Sequence, residues 1–297
     1  MHTLLRGLYT AAAGAIAQQQ RHDAVTQNIA NLNTPGYKAA TPVSRAFPEL
    51  LISALGGANP PKQSIGRLHS GVFSEEHLLS MTPGVLRETG RVLDFAVVSD
   101  IAVDLPGIGP VPFDASGKYV APDGTVIVQP QVFFTVRTPQ GEQRFTRDGR
   151  FRSEPDGTLV TLDGLPVLGV DGQPIVVADP WEQVQVLPDG RLVYADTGEP
   201  LPGDPQLLLM RVENPDLLVR DGNNRYRHEG PPGNLNPLQP DDRAEVRQRY
   251  LESSNVDPAQ SAVDLMAALR AYEANVRLIQ SYDRSLERAV NEIGRVG

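Results

Sequence analysis

Residues 257–293 read DPAQSAVDLMAALRAYEANVRLIQSYDRSLERAVNEI and predict a long amphipathic helix. Asp257 suits the N-cap, Pro258 suits the first helical position, and Gln260 stands where a capping box has its partner. A stripe follows at steps of three and four residues, apolar at every position but one: Ala262, Leu265, Leu269, Tyr272, Val276, Ile279, Asp283, Leu286, Val290 and Ile293. Because about 36 helical residues span roughly 54 Å, we expect this helix to need a partner along its length. The alternative is a helix at the edge of an ordinary core.

The N-terminal end of the chain predicts a second helix with the same spacing. Its stripe is Leu4, Leu8, Ala11, Ala15, Gln18, His22, Val25, Ile29 and Leu32, which repeats every 3.5 residues on average. The centre of this stripe is small or polar, which predicts close packing against a partner helix. Asn31, Asn33, Pro35 and Gly36 then end the helix. The alternative, a cleaved secretory signal, is disfavoured because Arg6 and Gly7 interrupt the apolar run and three glutamines follow it.

The middle of the chain predicts an antiparallel β domain. Seven Asp-Gly pairs, which favour tight turns because both residues tolerate positive φ, begin at Asp123, Asp148, Asp156, Asp163, Asp171, Asp189 and Asp221. Short β-prone runs lie at 126–128, 132–136, 159–162, 175–177, 184–186 and 207–209. Near residues 148–171 the turns recur every seven or eight residues, which predicts short strands in a strongly bent sheet. The predicted class is therefore α+β, with long terminal helices that pair as a coiled coil.

Composition excludes several function classes. The formal net charge is −9 with no basic cluster, which disfavours nucleic acid and anionic membrane surfaces as partners. The chain has no cysteine, so disulfides and thiolate chemistry are excluded. No apolar run is long enough to span a membrane, and we expect no membrane insertion.

No pattern of catalytic, cofactor-binding or metal-ligating residues is evident. The histidines His2, His22, His69, His77 and His228 are scattered, and Glu75, Glu76 and His77 are predicted to be a solvated loop. Gly117-Lys118 lacks the rest of a phosphate loop, and the Asp-Gly pairs lack the spacing of a calcium loop. We therefore predict a protein that is not an enzyme and has no cofactor and no metal site.

Motifs at both ends of the chain resemble those of one family. Residues 8–39, LYTAAAGAIAQQQRHDAVTQNIANLNTPGYKA, have an Ala/Gln-rich helix followed by an Asn-rich turn, with Asn28, Asn31, Asn33, Gly36 and Tyr37 at the matching positions. Residues 251–286 contain Glu-Ser-Ser-Asn-Val-Asp, ending at Asp257, and the run Arg270, Ala271, Tyr272, Glu273, Ala274 and Asn275. These segments resemble the N- and C-terminal signatures of flagellar basal-body rod and hook proteins.

The body of the chain is similar to the same family, with one departure. The segments that begin at Thr82, Phe133 and Glu213 resemble family segments in the same order. About 30 residues, 100–131, intervene where the family has a short Gly-rich link, and we interpret them as an inserted hairpin or loop. At this length the distal rod subunit is the closest fit, the proximal rod subunits are next, and the hook protein is usually longer.

The resemblance implies a structural subunit of the rod that polymerises into a helical tube and transmits torque between motor and hook. It implies four regions: an assembly helix and turn at 1–40, an extended linker at 41–93, a β-rich outer domain at 94–240, and a C-terminal assembly segment at 241–297. Implied partners are further copies of the chain, other rod and hook proteins and the flagellar export apparatus. The implied location is the basal body outside the cytoplasmic membrane, reached by export without a cleaved signal.

The stripes and motifs together predict an assembly interface. Two alternatives stay open: the asparagines after the first helix serve only to cap it, and Arg270 and Glu273 form an ordinary surface pair. Two other classes compete with the rod subunit, a secreted β-domain binding module and a cell-wall hydrolase. The predicted interface consists of Leu4, Leu8, Ala11, Ala15, Gln18, Val25, Asn28, Ile29, Asn31, Leu32, Asn33, Gly36, Tyr37, Asn255, Val256, Asp257, Leu265, Leu269, Arg270, Tyr272, Glu273, Asn275, Val276, Ile279 and Leu286.

Overall fold

The structure, a computed structural model, describes residues 2–48, 50–53, 64–68, 71–74, 78–105, 109–114, 116–239 and 241–293. Residues 2–5, 50–53, 64–68, 74 and 292–293 are described by their backbone alone. The cluster of Glu75, Glu76 and His77, and also His69, lies outside the described residues. The described chain divides into two compact units, which we call unit one (within Met1–Ala30, Ala40–Leu78 and Asp257–Gly297) and unit two (within Asn31–Ala39 and Leu79–Val256).

Long helices occupy the two ends of the described chain and short strands fill the middle, so the predicted α+β class is confirmed. The elements are α1 (His2–Ala30), β1 (Ala40–Thr41), β2 (Ser44–Ala46), β3 (Leu50–Ser53), β4 (Ser64–Leu68), β5 (Val72–Ser74), β6 (Leu78–Leu79), β7 (Leu86–Glu88), β8 (Phe95–Ser99), β9 (Asp104–Leu105), β10 (Gly109–Pro110), β11 (Lys118–Val120), β12 (Val126–Val128), β13 (Gln131–Arg137), β14 (Gln143–Thr146), β15 (Phe151–Ser153), β16 (Leu159–Thr161), β17 (Val184–Val186), β18 (Leu192–Tyr194), β19 (Leu209–Val212), β20 (Leu218–Arg220), β21 (Arg225–His228), β22 (Leu235–Pro237), β23 (Ala244–Gln248), β24 (Tyr250–Glu252) and α2 (Pro258–Ile293). Three short 3-10 helices lie at Trp181–Gln183, Pro215–Leu217 and Pro232–Asn234.

Unit one contains both helices and two antiparallel strand pairs, β2 with β5 and β3 with β4. The N-cap of α2 is the predicted one, since the Asp257 carboxylate accepts hydrogen bonds from the amides of Ala259 and Gln260 at 2.8 and 3.0 Å. The capping box is incomplete, because the Gln260 side chain donates to Asp264 at 3.3 Å and does not return to the cap. No helix among the described residues is both long and apolar enough to cross a membrane.

Unit two is built on a six-stranded antiparallel sheet in the order β20-β21-β14-β13-β19-β22. The central strand β13 is buried on both faces. Val132, Phe134 and Val136 contribute to one hydrophobic cluster, whereas Phe133 contributes to another on the opposite face. Both faces of this sheet are therefore covered, which explains why the run at 132–136 is continuously apolar rather than alternating.

At six of the seven Asp-Gly pairs of unit two the glycine has positive φ, and at none of them does the aspartate. At the first Asp-Gly pair, the Gly124 amide donates to Ala121 at 2.8 Å and Gly124 has φ +86°. Asp123 keeps an ordinary φ, and its carboxylate accepts from the Thr125 amide at 2.9 Å. The predicted tight turn is present, with the glycine supplying the positive φ and the aspartate acting through its side chain in an Asx-type turn.

Backbone hydrogen bonds join the short turns between residues 157 and 177 to one another. Leu159 donates its backbone N–H to Ile175, Ile175 donates to Val167, and Val167 donates back to Leu159, at 2.8, 3.0 and 2.9 Å. All three side chains are buried. The predicted strand at 175–177 is therefore wrong: these residues complete a closed ring of hydrogen bonds between turns. The predicted strand at 207–209 is shifted, because β19 begins at Leu209 and Leu207 forms an isolated bridge with Gly169.

The stretch at 100–131 forms two small hairpins in its described part. β9 pairs with β10, and β11 pairs with β12 through Tyr119 and Ile127. An ion pair between Lys118 and Asp216, 3.3 Å apart, attaches the second hairpin to the rest of unit two.

Candidate assembly interface

In unit one, α1 and α2 lie antiparallel and contact each other along their length. Gly7 faces Tyr282, Gly14 faces Asn275, and Arg21 forms an ion pair with Asp264 at 3.2 Å. The numbers of the α2 partners fall as those of α1 rise. A Cβ atom added at Gly14 would lie 3.3 Å from Cγ of Asn275, so glycine leaves room for the Asn275 side chain at this point. Small residues at seven-residue intervals thus set the register of the helix pair.

The stripe predicted on α1 faces the interior of unit one. Ala11, Ala15, Val25 and Asn28 are buried, and Leu8, Gln18 and Ile29 are half-buried. The side chain of Leu4 is outside the described part of the chain. Asn28 holds the chain after the helix, because its amide group donates to the Ala40 carbonyl at 2.8 Å and accepts from the Ala40 amide at 2.9 Å.

The stripe predicted on α2 lies beside the buried face rather than at its centre. The centre is formed by the small side chains of Ser261 and Ala268, 8% and 0% exposed, and by the half-buried Asn275 and Tyr282. Among the predicted interface residues, Leu265, Val276, Ile279 and Leu286 are half-buried, whereas Leu269, Tyr272, Arg270 and Glu273 are exposed. Glu273 forms its ion pair with Arg277 at 3.9 Å.

Unit two brings the chain just after α1 together with the chain just before α2. We call residues 31–39, 80–84 and 251–256 the three-segment site. Gly36 donates its backbone N–H to Glu252 at 2.7 Å, and Ala39 donates to the Asn255 side chain at 2.6 Å. The Asn255 amide group also donates to Ser80 and Thr82 carbonyls at 2.8 and 3.1 Å. Asn255 therefore crosslinks all three segments through backbone groups.

The other predicted residues of this site have distinct surroundings. The ring of the buried Tyr37 lies under the Arg220 guanidinium, 4.6 Å from the ring centre. Asn31 accepts a hydrogen bond from the Thr34 hydroxyl at 3.1 Å. Val256 is buried and Leu32 is half-buried, but Asn33 and Asp257 are exposed.

A buried ion cluster, Lys38, Arg147 and Glu252, lies within the three-segment site and was not predicted from the sequence. The Lys38 ammonium is 2.7 Å from Oε1 of Glu252, and Nε of Arg147 is 3.6 Å from Oε2. The three side chains are at most 3% exposed. Lys38 also donates to the Thr82 carbonyl at 3.0 Å, and the Gly84 amide donates to Glu252 at 2.8 Å.

The electrostatics of the ion cluster reflect two cations that share one carboxylate. Burial lowers the pKa of Lys38 to about 8, although the charge of Glu252 acts in the opposite direction. Burial alone would raise the pKa of Glu252, but the charges of Arg147 and Lys38 outweigh it and hold that pKa below its ordinary value. Glu252 is thus ionised near neutral pH and can balance only one of its two partners.

Catalytic or metal-binding geometry is not evident in the described part of the chain. Across those residues, no group of three His, Asp or Glu side chains could hold a metal ion. In the helix pair and the three-segment site, the buried and half-buried residues of the predicted interface contact other segments of the chain and hold them together.

Comparison with known proteins points to one family along most of the chain. Three family models match: "Flagella basal body rod protein" at residues 8–38, "Flagellar hook protein FlgE/F/G D1 domain" at 127–194, and "Flagellar basal body rod FlgEFG protein C-terminal" at 247–292. The chain is 33% identical to the flagellar hook-basal body complex protein FlhO of Bacillus subtilis, over 99% of this chain and 100% of that protein. It is 27% identical to the basal-body rod protein FlgG of Bacillus subtilis, over 97% and 99%, and 29% identical to the basal-body rod protein FlgF of Caulobacter vibrioides, over 97% and 98%.

Proposed function

Because the chain belongs to the flagellar basal-body rod and hook protein family, we propose that it polymerises through its terminal helices into the axial tube of the rod. It is a structural protein of the flagellum and not an enzyme. It assembles with other rod and hook proteins. Basal-body rod proteins named FlgG and FlgF both align over nearly the whole chain. The proposal covers distal and proximal rod positions, with a hook-type subunit as the alternative.

One observation supports assembly through the helices: α2 keeps large apolar side chains outside its contact with α1. Val263, Met266 and Leu269 are 62%, 61% and 46% exposed, and Tyr272 is 36% exposed. They follow one another on adjacent turns, so they form a continuous apolar strip. Exposed apolar strips of this kind are typical of protein–protein contacts, and further copies of the chain would cover it in a tube.

The proposed mechanism assigns a role to each region. Residues 1–40 and 241–297 are the assembly segments, whose helices form a coiled-coil inner layer, and residues 41–93 connect them to the β-rich domain. Residues 94–240, including the insert at 100–131, face outward. The tube transmits torque from motor to hook. Subunits reach the growing tip through the flagellar type III export apparatus without a cleaved signal.

The substitution Met266→Glu tests this proposal. Met266 is exposed in unit one, so the variant keeps the fold of the monomer. In the polymer, burying the added carboxylate in an apolar contact costs more than about 1.4 kcal/mol, which is a tenfold change in an equilibrium constant. We therefore expect the protein concentration needed for sedimentable polymer to rise at least about tenfold, measured by ultracentrifugation and light scattering.

Gln280→Glu is the matched control. Gln280 is exposed on the same helix and gains the same charge, and of its neighbours one turn away Arg277, Asp283 and Arg284 are charged and Val276 alone is apolar. It should polymerise like the parent chain. If Met266→Glu polymerises as well as Gln280→Glu, the exposed apolar strip is not an assembly surface and the proposal fails.

A further inference from the structure

The buried ion cluster joins parts of the chain that are far apart in sequence. Lys38 and Glu252 are separated by 214 positions, and Arg147 comes from the end of the hairpin that contains β14. Lys38 follows α1, and Glu252 is the last residue of β24, shortly before α2. No residue next to Lys38 or Glu252 in the sequence could replace either as an ion-pair partner, because the flanking residues are uncharged. They are Gly36, Tyr37 and Ala39 around Lys38, and Leu251 and Ser253 around Glu252.

The charge balance makes this site depend on all of its members. With Glu252 present, two buried cations face one carboxylate, and Lys38 already releases its proton more easily than an ordinary lysine. Without Glu252, Lys38 and Arg147 would be buried with no counter-charge, which is strongly unfavourable. Burying Lys38 therefore requires that the segment carrying Glu252 is already in place.

Backbone contacts extend this dependence to whole segments. The Asn255 amide donates to the Tyr37 carbonyl at 3.3 Å, Ala39 donates to the Asn255 side chain, and Ser80 donates to the Ala39 carbonyl at 2.8 Å. A Cβ atom added at Gly84 would lie 1.9 Å from the Ser253 carbonyl oxygen, so this segment also fits directly against residue 253. Each segment supplies hydrogen-bond partners to the other two, so displacing one segment leaves buried polar groups of the others without those partners.

We propose that the buried ion cluster is a conformational coupling device: residues 36–39 and 80–84 become ordered on unit two only when residues 252–255 dock there. The N-terminal segment thus stays open until the C-terminal segment has been made and has folded, and loss of either segment releases the other. The six-stranded sheet, whose Arg220 donates to the Lys38 carbonyl, remains folded when the three-segment site opens.

Lysine acetylation of the full-length chain tests the coupling. The sequence contains three lysines, Lys38, Lys62 and Lys118. Lys38 is 1% exposed and Lys118 is 33% exposed, so Lys118 is an internal reference for reagent access. In the parent chain, acetic acid N-hydroxysuccinimide ester should modify Lys38 much more slowly than Lys118, as read by peptide mass spectrometry.

Glu252→Gln keeps the size of the side chain and removes its charge. We expect acetylation of Lys38 to accelerate at least about tenfold in this variant, with Lys118 unchanged and the amides of β13 still protected from hydrogen exchange. Glu142→Gln is the matched control, because Glu142 is 62% exposed in its ion pair with Arg144; Lys38 should stay protected there. If Lys38 stays protected in Glu252→Gln, the coupling is wrong.

Hydrogen exchange of the unmodified chain in low urea provides an independent measurement if Glu252→Gln does not fold. The amides of Ala39, Ser253 and Asn255 should open with the same free energy and the same urea dependence, and with less free energy than the amides of β13. Unequal opening of these amides would overturn the proposal, and so would opening only together with β13, since the site would then be an ordinary part of one cooperative core.

Discussion

Gly36 is confined in the three-segment site both by its backbone conformation and by its neighbours. It has φ +67°, and a Cβ atom there would lie 2.3 Å from the carbonyl oxygen of Arg147. Two separate costs therefore act against any other residue: the left-handed conformation and a collision with backbone that cannot move aside. The motif position that the sequence singled out as a helix-ending glycine is also a point of close contact between segments.

Gly36→Ala should lower the free energy of unfolding of unit two by about 2–5 kcal/mol, the sum of about 1–2 for the left-handed conformation and about 1–3 for overpacking. Gly90→Ala separates the two costs, because Gly90 has φ +74° with nothing within 4 Å of its added Cβ. Gly90→Ala should therefore lower the free energy of unfolding only by the about 1–2 kcal/mol that belongs to the left-handed conformation. Urea unfolding of both variants measures the difference, and equal losses would mean that the contact with Arg147 yields to the methyl group.

At the level of single residues, the structural features that depend only on nearby residues in the sequence could be predicted. The Asp257 cap and the end of α1 are local effects, and both were predicted correctly. The ion cluster was not predicted, although Glu252 begins the Glu-Ser-Ser-Asn-Val-Asp motif, because only the fold brings Lys38 and Arg147 close to Glu252. A lysine in an otherwise apolar or small-residue stretch was the one available signal, and by itself it does not identify a partner.

At the level of elements, the repeat of apolar residues predicted both helices correctly but did not identify which face of α2 contacts α1. The 3.5-residue spacing predicted both helices, but the widest apolar stripe of α2 was expected to be the paired face. The centre of the paired face instead holds Ser261, Ala268, Asn275 and Tyr282, and the predicted stripe lies at its edge. On α1, Gly7 and Gly14 leave room for the side chains of Tyr282 and Asn275.

A pair of engineered cysteines tests the register of the helices. The chain has no cysteine of its own, so any disulfide must come from the introduced residues. Gly14→Cys with Asn275→Cys should oxidise to an intramolecular disulfide, because the Cβ of residue 14 would lie 3.3 Å from Cγ of Asn275. Non-reducing electrophoresis and peptide mapping provide the measurement.

Gly14→Cys with Glu273→Cys is the control for this register. Glu273 is exposed on the side of α2 that faces away from α1, so this pair should remain reduced in the monomer. If both pairs oxidise at the same rate, the helices slide past each other and small residues do not fix their register.

At the level of the whole molecule, the two units should differ in their dependence on assembly. Unit two has a buried sheet and two hydrophobic clusters of its own. The helix pair of unit one buries mainly small side chains and leaves large ones exposed. Helices with little buried apolar surface gain most of their stability from packing against partners. The proposed assembly would therefore order the helices and leave unit two unchanged.

Hydrogen exchange on monomer and sedimented polymer checks this expectation. Amides of α1 and α2 should exchange quickly in the monomer and slowly in the polymer, whereas amides of β13 and β14 should be protected in both. Helices that are fully protected in a monomer that never polymerises would contradict the assembly proposal and would favour a binding module with a closed core.

The three-segment site has a mechanical consequence. The segments by which the chain enters and leaves unit two are bonded directly to each other, through Gly36 with Glu252 and Ala39 with Asn255. A pull that draws these two segments apart is resisted first by those bonds, so residues 85–250 of unit two bear no tension until the bonds break. The hairpins at 100–131 lie inside that unloaded loop. Their length can therefore vary without lengthening the path along which force travels.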